Sequence, residues 1–279
     1  MTALRERFAA LVASPDSDLG RAALEVARLG HPDLDPAPTL AALDGLADAV
    51  RPRLPDGASR AEAARTLARV LFGECGFRGN AGDYYDPRNS FLNDVVDRRL
   101  GIPISLSVLA IEVGRRLGIP MEGVGFPGHF LVRVADGRET LLLDCFAGGA
   151  PVGNDELLAR LRALAESHQG PDFAQVPARF LEPTPPAGIL ARMLRNLLRI
   201  YLERREPERA LAAVDLLLVL VPGSAEDLRT RARLYEALEC FASAAADLRR
   251  YLALAPGADD AARVRKSLGR LEATAPTVH

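Results

Sequence analysis

The feature that most constrains the fold is an internal repeat near the end of the chain. Pairs of identical residues recur at a separation of 34: Tyr201 with Tyr235, Ala210 with Ala244, and Pro222 with Pro256. A period of this length is typical of a repeated helix pair. One such pair cannot bury its apolar face alone, so neighbouring pairs stack and share a core. The sequence therefore predicts an all-α C-terminal module over residues 189–279.

Composition excludes several classes of partner. The 35 basic and 37 acidic residues leave a formal charge of −2, which provides no field for nucleic acid or anionic lipid. No apolar run approaches the roughly 18 residues that a membrane span needs. The N-terminus lacks the apolar region of a secretory signal. Three widely spaced cysteines, an odd number, indicate a reducing compartment, so we expect a cytoplasmic protein with no nucleic-acid or membrane partner.

No cofactor or metal site is predicted. The four histidines form no HxxxH pair and no CxxC motif exists, which argues against a metal centre. Residues 123–128 (GVGFPG) match the G-x-G-x-x-G pattern of dinucleotide-binding turns. That motif needs a strand before it and a helix after it. Here a helix precedes it, a strand follows it, and Pro127 blocks entry into a helix, so we reject the dinucleotide interpretation.

Two helical regions enclose an irregular segment. Apolar residues at helical spacing predict helices over residues 1 to about 75. Residues 73–93 are rich in Gly, Asn, Asp and Tyr, and loops of this length tend to be functional. A second apolar helix is predicted from about Ser105 to Leu117, where Gly118 and Pro120 end it.

A β-hairpin and a proline-rich segment complete the organisation. Apolar runs flank Asp136-Gly137, which is a strong hairpin signal, and five prolines fall in residues 166–188. The predicted fold class is α+β with a small antiparallel sheet. The expected domains are a helical part plus core over 1–165, a Pro-rich linker over 166–188 and a helical repeat domain over 189–279.

The hairpin brings a histidine and an aspartate together. If Asp136-Gly137 is a two-residue turn, His129 and Asp144 lie directly opposite each other, with Cβ atoms about 5 Å apart. The carboxylate can then accept a hydrogen bond from one ring nitrogen, which fixes the tautomer and leaves the other nitrogen as a base. The alternative is a purely structural cross-strand hydrogen bond.

Ser105 is the candidate nucleophile. It lies in the predicted first turn of a helix, where unpaired N–H groups and the positive end of the dipole favour acyl chemistry. The alternative is that Ser105 only caps this helix. Asn89, Asn93 and Tyr84 are candidates for lining a cleft, but Asn side chains also bond their own backbone in turns, so scaffolding of the loop is the competing explanation.

Five segments resemble one known family. They are residues 84–93 (YYDPRNSFLN), 101–107 (GIPISLS), 118–120 (GIP), 123–133 (GVGFPGHFLVR) and 143–149 (LDCFAGG). They are similar to the transglutaminase-like superfamily of papain-type Cys-His-Asp enzymes. The closer resemblance is to its SirB branch, in which a transglutaminase-like core precedes tetratricopeptide repeats, and the C-terminal repeat resembles the latter. Together with the repeats, the resemblance covers nearly the whole chain.

The resemblance implies a papain/transglutaminase-like core and a candidate triad. His129 and Asp144 match the superfamily's histidine and aspartate, and Ser105 stands where its enzymes carry the nucleophilic cysteine. Cys145 replaces a proline that is usual in the branch, and strand alternation predicts that it is buried. Two functions stay open, so the sequence does not decide whether this is an enzyme. One is a degenerate member that binds a protein or peptide through its cleft and repeats; the other is an active Ser-His-Asp hydrolase or acyltransferase that cleaves an amide or ester.

Overall fold

The computed structural model describes residues 2–13, 18–137, 139–168 and 173–274. The chain divides into two units, one of Met1–Asp16 with Leu194–His279 and the other of Ser17–Met193. Across the described residues, no helix combines the length and apolar character that crossing a membrane requires. The α+β fold class with a small antiparallel sheet is confirmed.

Six α-helices lie wholly within the described part of the Ser17–Met193 unit. They are α2 (Leu19–Ala27), α3 (Ala37–Val50), α4 (Arg60–Ala68), α5 (Leu92–Arg98), α6 (Pro103–Arg116) and α7 (Asn154–His168). Helix α4 begins with a reciprocal cap: the Ser59 hydroxyl accepts from the Glu62 amide, and the Glu62 carboxylate accepts from the Ser59 amide. Helix α6 is buried over most of its length, which explains why its sequence is apolar on nearly every side.

Two sheets accompany these helices. A two-residue parallel pair joins β1 (Arg78–Gly79) to β2 (Leu100–Gly101). The larger antiparallel sheet contains β3 (Glu122–Val124), β4 (Leu131–Asp136), β5 (Glu139–Asp144), β6 (Ala150–Pro151) and β7 (Pro183–Thr184), in the order β6-β5-β4-β3-β7. The short parallel pair connects the chain before the loop of residues 80–91 to the segment that leads into α6.

Both faces of the antiparallel sheet are covered. Leu131 and Leu142 share one face and belong to the same core cluster as Leu157 and Leu161 of α7. The residues that alternate with them along the hairpin are also buried, and helices α4 and α6 pack against β4. A hairpin buried on both faces reads as nearly continuous apolar sequence, as this one does.

The predicted hairpin register is wrong by two residues. The pair nearest the turn is Asp136 with Glu139, and Val132 pairs with Leu143. The turn therefore lies one residue later than Asp136-Gly137 suggests, and it includes residue 138, which is outside the described residues. Continuing this register places Asp144 opposite Leu131. A shift of two residues keeps every side chain on its face, so the predicted faces remain correct.

The segment predicted as a linker instead contributes to the core. Thr184 in β7 pairs with Gly123 in β3, which makes β7 an edge strand of the antiparallel sheet. Four side chains from this segment pack on the core cluster of the sheet: Phe173, Val176, Phe180 and Leu181. Prolines are tolerated in an edge strand because no neighbour requires their missing N–H. Proline content alone therefore did not distinguish a packed edge from a linker.

The second unit contains the repeat helices and the N-terminal helix. Helix α8 (Pro186–Glu203) contains the boundary between the units, which falls between Met193 and Leu194 and not at the predicted residue 189. The remaining helices are α1 (Thr2–Val12), α9 (Pro207–Leu220), α10 (Ala225–Ala237), α11 (Phe241–Leu254) and α12 (Ala261–Thr274). Helix α1 contacts α9, so the N-terminal helix belongs to this unit and not to the 1–165 domain expected from the sequence.

The 34-residue period marks equivalent core positions of the repeat helices. Ala210 in α9 and Ala244 in α11 are both completely buried. One buried arginine also connects three helices, because Arg231 in α10 donates to Asp215 in α9 and to both oxygens of Asp247 in α11. Small residues allow the helices to approach closely, and the charged network fixes their register.

Candidate functional site

His129 and Asp144 meet at one end of the β4–β5 hairpin. Asp144 is the last residue of β5, and His129 precedes β4 directly after Gly128, whose positive φ of 70° turns the chain. The two residues are diagonal neighbours on one face of the hairpin, a relationship that long side chains can span. Nε2 of His129 lies 2.9 Å from Oδ2 of Asp144. The structure thus brings together the predicted pair despite the register difference.

The carboxylate of Asp144 is enclosed by donors. Its Oδ1 accepts hydrogen bonds from the backbone amides of Phe146 (3.0 Å) and Ala147 (3.1 Å), while Oδ2 also accepts from Nη2 of Arg160 (2.8 Å). Burial alone would raise the pKa of Asp144. The contact with His129, together with Arg160 and the backbone donors, outweighs burial and lowers this pKa to about 2. Asp144 is therefore an anion at neutral pH.

The imidazole of His129 is positioned by charge and by an aromatic neighbour. The carboxylate oxygen does not lie along the N–H direction of Nε2, so the 2.9 Å contact is electrostatic in character and not a well-aligned hydrogen bond. The ring meets Phe146 edge to face, with centroids 6.4 Å apart. Nδ1 has no hydrogen-bond partner within the described ranges, and 17% of the side chain is exposed.

Ser105 is sealed inside the protein. It occupies the third position of α6, whose N-cap residue is Ile102, and its exposed fraction is 0%. Its hydroxyl accepts from the Ile102 amide (3.0 Å) and donates to the Asn89 carbonyl (2.5 Å). An N3 side chain that reaches back to the N-cap amide is half of a capping box. Ser105 therefore caps α6 from the third position, and its hydroxyl makes no hydrogen bond to His129 in the part of the chain that the structure describes.

Cys145 does not supply a substitute nucleophile. Its side chain is almost completely buried, as strand alternation predicted. Burial raises the pKa of the thiol to about 12, and a hydrogen bond with Ser107 offsets only part of that rise. Because the thiolate is the reactive form of cysteine, Cys145 is inert at neutral pH.

The predicted cleft residues differ in what they contact. Asn89 is fully buried, and its Nδ2 donates to the carbonyls of Asp83 (2.7 Å) and Tyr84 (3.2 Å). This amide organises the loop, as the scaffolding interpretation requires. Asn93 is also buried, and its Oδ1 has no partner among the described residues. Tyr84 alone of the three is exposed; its ring contacts Phe146 edge to face at 6.0 Å.

Three residues near His129 were missed from the sequence. Arg160 binds Asp144, and its i, i+4 spacing from Glu156, to which it also bonds, was the only local signal. Phe146 lies between the rings of His129 and Tyr84. Arg192 donates to the carbonyl of His129 from helix α8, and no local pattern distinguishes it from other helical arginines. Across the described ranges, no three His, Cys, Asp or Glu side chains converge as metal ligands.

A family model identifies this core. The model described as transglutaminase-like superfamily matches residues 37–195, more than half of the chain. This chain belongs to the transglutaminase-like superfamily. The match extends through the segment predicted as a linker, in agreement with its place in the sheet. A tetratricopeptide-repeat model matches residues 197–269, so the transglutaminase-like core is followed by tetratricopeptide repeats.

Two bacterial relatives match most of this chain, and a third protein matches a shorter part of it. A UPF0162 protein from Xylella fastidiosa is 41% identical over 246 residues, which cover 88% of this chain and 87% of the relative. A UPF0162 protein from Pseudomonas aeruginosa is 37% identical over 255 residues, 91% of this chain and 90% of the relative. F-box only protein 21 from Mus musculus is 48% identical over 77 residues, which are 28% of this chain and 12% of that protein.

Proposed function

We propose that this transglutaminase-like protein is catalytically degenerate and binds a protein or peptide partner through its cleft and its repeats. The observation that carries the proposal is the state of Ser105. Its hydroxyl is fully buried and bonded to backbone atoms of Ile102 and Asn89. A nucleophile must reach both its substrate and its base, and this hydroxyl faces neither.

The chemistry of the alternative nucleophiles supports the same conclusion. A serine hydroxyl is far less acidic than a cysteine thiol and needs a base in direct contact. The raised pKa of Cys145 keeps the neighbouring thiol protonated. Asp144 shares its Oδ2 between His129 and Arg160, so its charge is partly neutralised by a permanent cation and not reserved for the imidazole.

Exposed side chains support a binding role in each unit. Tyr84 and Tyr85 are exposed next to each other at the edge of the Phe146–His129 cluster, with ring centroids 5.3 Å apart. Aromatic residues of this kind are enriched in the centres of protein interfaces. Among the repeat helices, Leu202 is 45% exposed and Leu254 is 52% exposed. Tetratricopeptide repeats themselves suggest protein interaction.

The binding role can be tested by cross-linking the full chain to partners in cells and quantifying the captured protein. We expect capture to survive Ser105→Ala and His129→Ala, because neither group performs chemistry in this proposal. The double variant Leu202→Ser/Leu254→Ser and the single variant Tyr84→Ser should each reduce capture, while Asp48→Asn, a change at an exposed residue of α3, serves as the matched control. Absence of any reproducible partner would contradict the proposal.

The alternative function is an active Ser-His-Asp hydrolase or acyltransferase. The close approach of His129 to Asp144 favours it, since a base oriented by a carboxylate is part of that mechanism. Ser105 would attack an amide or ester, His129 would take its proton, and amides of α6 would hold the oxyanion. A fluorophosphonate reagent separates the two functions: we expect no labelling in intact-mass measurements. Labelling that disappears in Ser105→Ala would overturn the degenerate assignment.

A further inference from the structure

Arg192 is an arginine held in place by backbone carbonyls and an aromatic ring. Its Nη2 donates to the carbonyl of His129 (2.5 Å) and to that of Phe126 (3.2 Å). The guanidinium carbon lies 5.4 Å from the centroid of Phe130. These contacts fix the plane of the guanidinium directly behind the His129 turn, so the side chain is organised before any ligand arrives.

The charge of Arg192 is uncompensated. Other partly buried arginines of this chain contact carboxylates, among them Arg98, Arg116, Arg160 and Arg231. Arg192 contacts no carboxylate within the described ranges. Burial lowers the pKa of its guanidinium, and the electrostatic interaction with the neighbouring Tyr84 offsets only part of this lowering. Removing a charge from water without a partner is unfavourable, so this side chain is unusual for a purely structural arginine.

Nη1 of Arg192 and Oγ1 of Thr184 both lie close against the backbone of Gly125. A Cβ placed on Gly125 would lie 3.3 Å from Nη1 of Arg192 and 3.2 Å from Oγ1 of Thr184. Gly125 itself is exposed, so solvent reaches the backbone that these two polar atoms border. Nη1 and Nε of Arg192 have no hydrogen-bond partner in the described chain, and neither is sealed from solvent.

Thr184 adds a second donor at the same place. Its Oγ1 accepts a hydrogen bond from the amide of Gly125 at 2.9 Å. Because that bond occupies the oxygen as an acceptor, the hydroxyl proton can be donated outward. Two donors of different kinds, a guanidinium and a hydroxyl, therefore border the exposed Gly125, and the guanidinium also bonds the His129 carbonyl.

We propose that Arg192 and Thr184 form a binding site for the carboxylate group of a ligand. A planar guanidinium matches a carboxylate in shape, and charge-assisted bonds of this type are among the strong ones. One uncompensated positive charge is neutralised by one monoanion. A phosphate dianion would bring a second negative charge toward the ionised Asp144, which contacts the same histidine. The carboxylate can come from an acidic side chain or from a chain end.

The test follows the Nε–H resonance of Arg192 in the full chain labelled with ¹⁵N-arginine. This resonance is assigned by its disappearance in Arg192→Gln. Two matched pairs of small ligands are titrated: N-acetylphenylalanine against its amide for a chain-end carboxylate, and N-acetylglutamic acid α-amide against N-acetylglutaminamide for a side-chain carboxylate. We expect saturable shifts with at least one acid, and about tenfold weaker binding of its neutral twin.

Controls define the outcomes. The resonance of Arg199, which lies in the same helix and contacts Glu203 at 3.5 Å, should not move. The variant Thr184→Val removes the hydroxyl and keeps Arg192, whose resonance still reports binding. We expect this variant to bind the acid more weakly. Equal shifts with acid and amide, no shift at millimolar acid, or a stronger response to inorganic phosphate would each overturn the carboxylate assignment.

The inference rests on the proposed function in that the carboxylate belongs to the proposed protein or peptide partner, yet the two can fail separately. Carboxylate binding at Arg192 without any captured partner would leave the inference standing and remove the proposed function. A captured partner with no response of the Arg192 resonance to either acid would remove the inference and leave the proposed function standing.

Discussion

Single residues near the hairpin end set the electrostatics of the site. Asp144 gathers two backbone amides, one arginine and one histidine around a single buried carboxylate. Each of these partners interacts more strongly with the ionised carboxylate of Asp144 than with its protonated, neutral form. The folded structure therefore holds Asp144 ionised, and its stability depends on that charge.

Asp144 predicts an acid-dependent loss of stability. With a pKa of about 2 when folded and about 3.9 when unfolded, this carboxylate stabilises the fold above pH 4 and ceases to do so as the pH falls through 2. We expect this residue to account for roughly 2 kcal/mol of the free energy of unfolding lost in that window. Asp144→Asn should remove this contribution, as measured by urea unfolding at several pH values.

Asp48→Asn provides the matched control for that experiment. The Asp48 side chain is 75% exposed, so its replacement changes the net charge equally without altering the buried site. It should retain the pH dependence of the wild type. An Asp144→Asn variant with an unchanged pH dependence would show that the carboxylate is not the group responsible.

At the scale of elements, helix α6 is anchored to α2 by a buried carboxylate. Glu112 of α6 accepts from the amide of Gly20 at 3.1 Å and contacts both Arg115 and Arg116. A Cβ on Gly20 would stand 2.7 Å from Oε2 of Glu112. The glycine thus permits the close approach by which the first turn of α2 donates to a carboxylate, a favourable arrangement at a helix N-terminus.

Alanine substitutions at two helical glycines should have opposite effects. Gly20→Ala displaces Glu112 from its partners and should cost about 1–3 kcal/mol of the free energy of unfolding. Gly45 lies in the exposed middle of α3, where an added Cβ would meet nothing within 4 Å. Gly45→Ala should therefore stabilise the protein by about 0.5–1 kcal/mol through helix propensity. Chemical denaturation measures both, and a stabilising Gly20→Ala would refute the close packing inferred here.

At the scale of the whole molecule, the two ends of the chain belong to one unit. Phe8 of α1 is completely buried, and α1 contacts α9 of the repeat helices. The C-terminal helices therefore share their core with a segment nearly two hundred residues earlier in the chain. The transglutaminase-like core lies between these two segments in sequence.

Truncation of Phe8 should loosen the repeat helices in particular. Phe8→Ala removes a buried aromatic ring and should cost about 3–5 kcal/mol. Hydrogen exchange should accelerate at the amides of α9 and leave those of α6 protected. Leu202→Ala, at an exposed position of the same unit, should change little. Equal acceleration in α6 and α9 would contradict the assignment of α1 to the repeat unit.

Local periodicity made several features of this protein predictable. The 34-residue repeat, the helical spacing and the hairpin follow from residues close together in sequence. His129 and Asp144 lie on one face as predicted, although they are diagonal and not directly opposite, because side chains alternate with a period of two and the register error was two residues. Motifs such as residues 123–133 indicated the superfamily that the family model confirms.

The features that the sequence left open depend on distant segments. Ser105 has the same sequence context whether it is an open nucleophile or a buried cap. The Asn89 carbonyl that accepts its hydrogen bond comes from a loop sixteen residues earlier. The prolines of residues 166–188 gave no indication that part of this segment would pair with β3 as an edge strand. Periodicity is a property of neighbouring residues, so the sequence alone determined the elements and their faces. Burial and polar pairing require two remote segments to meet, and these were decided only by the tertiary structure.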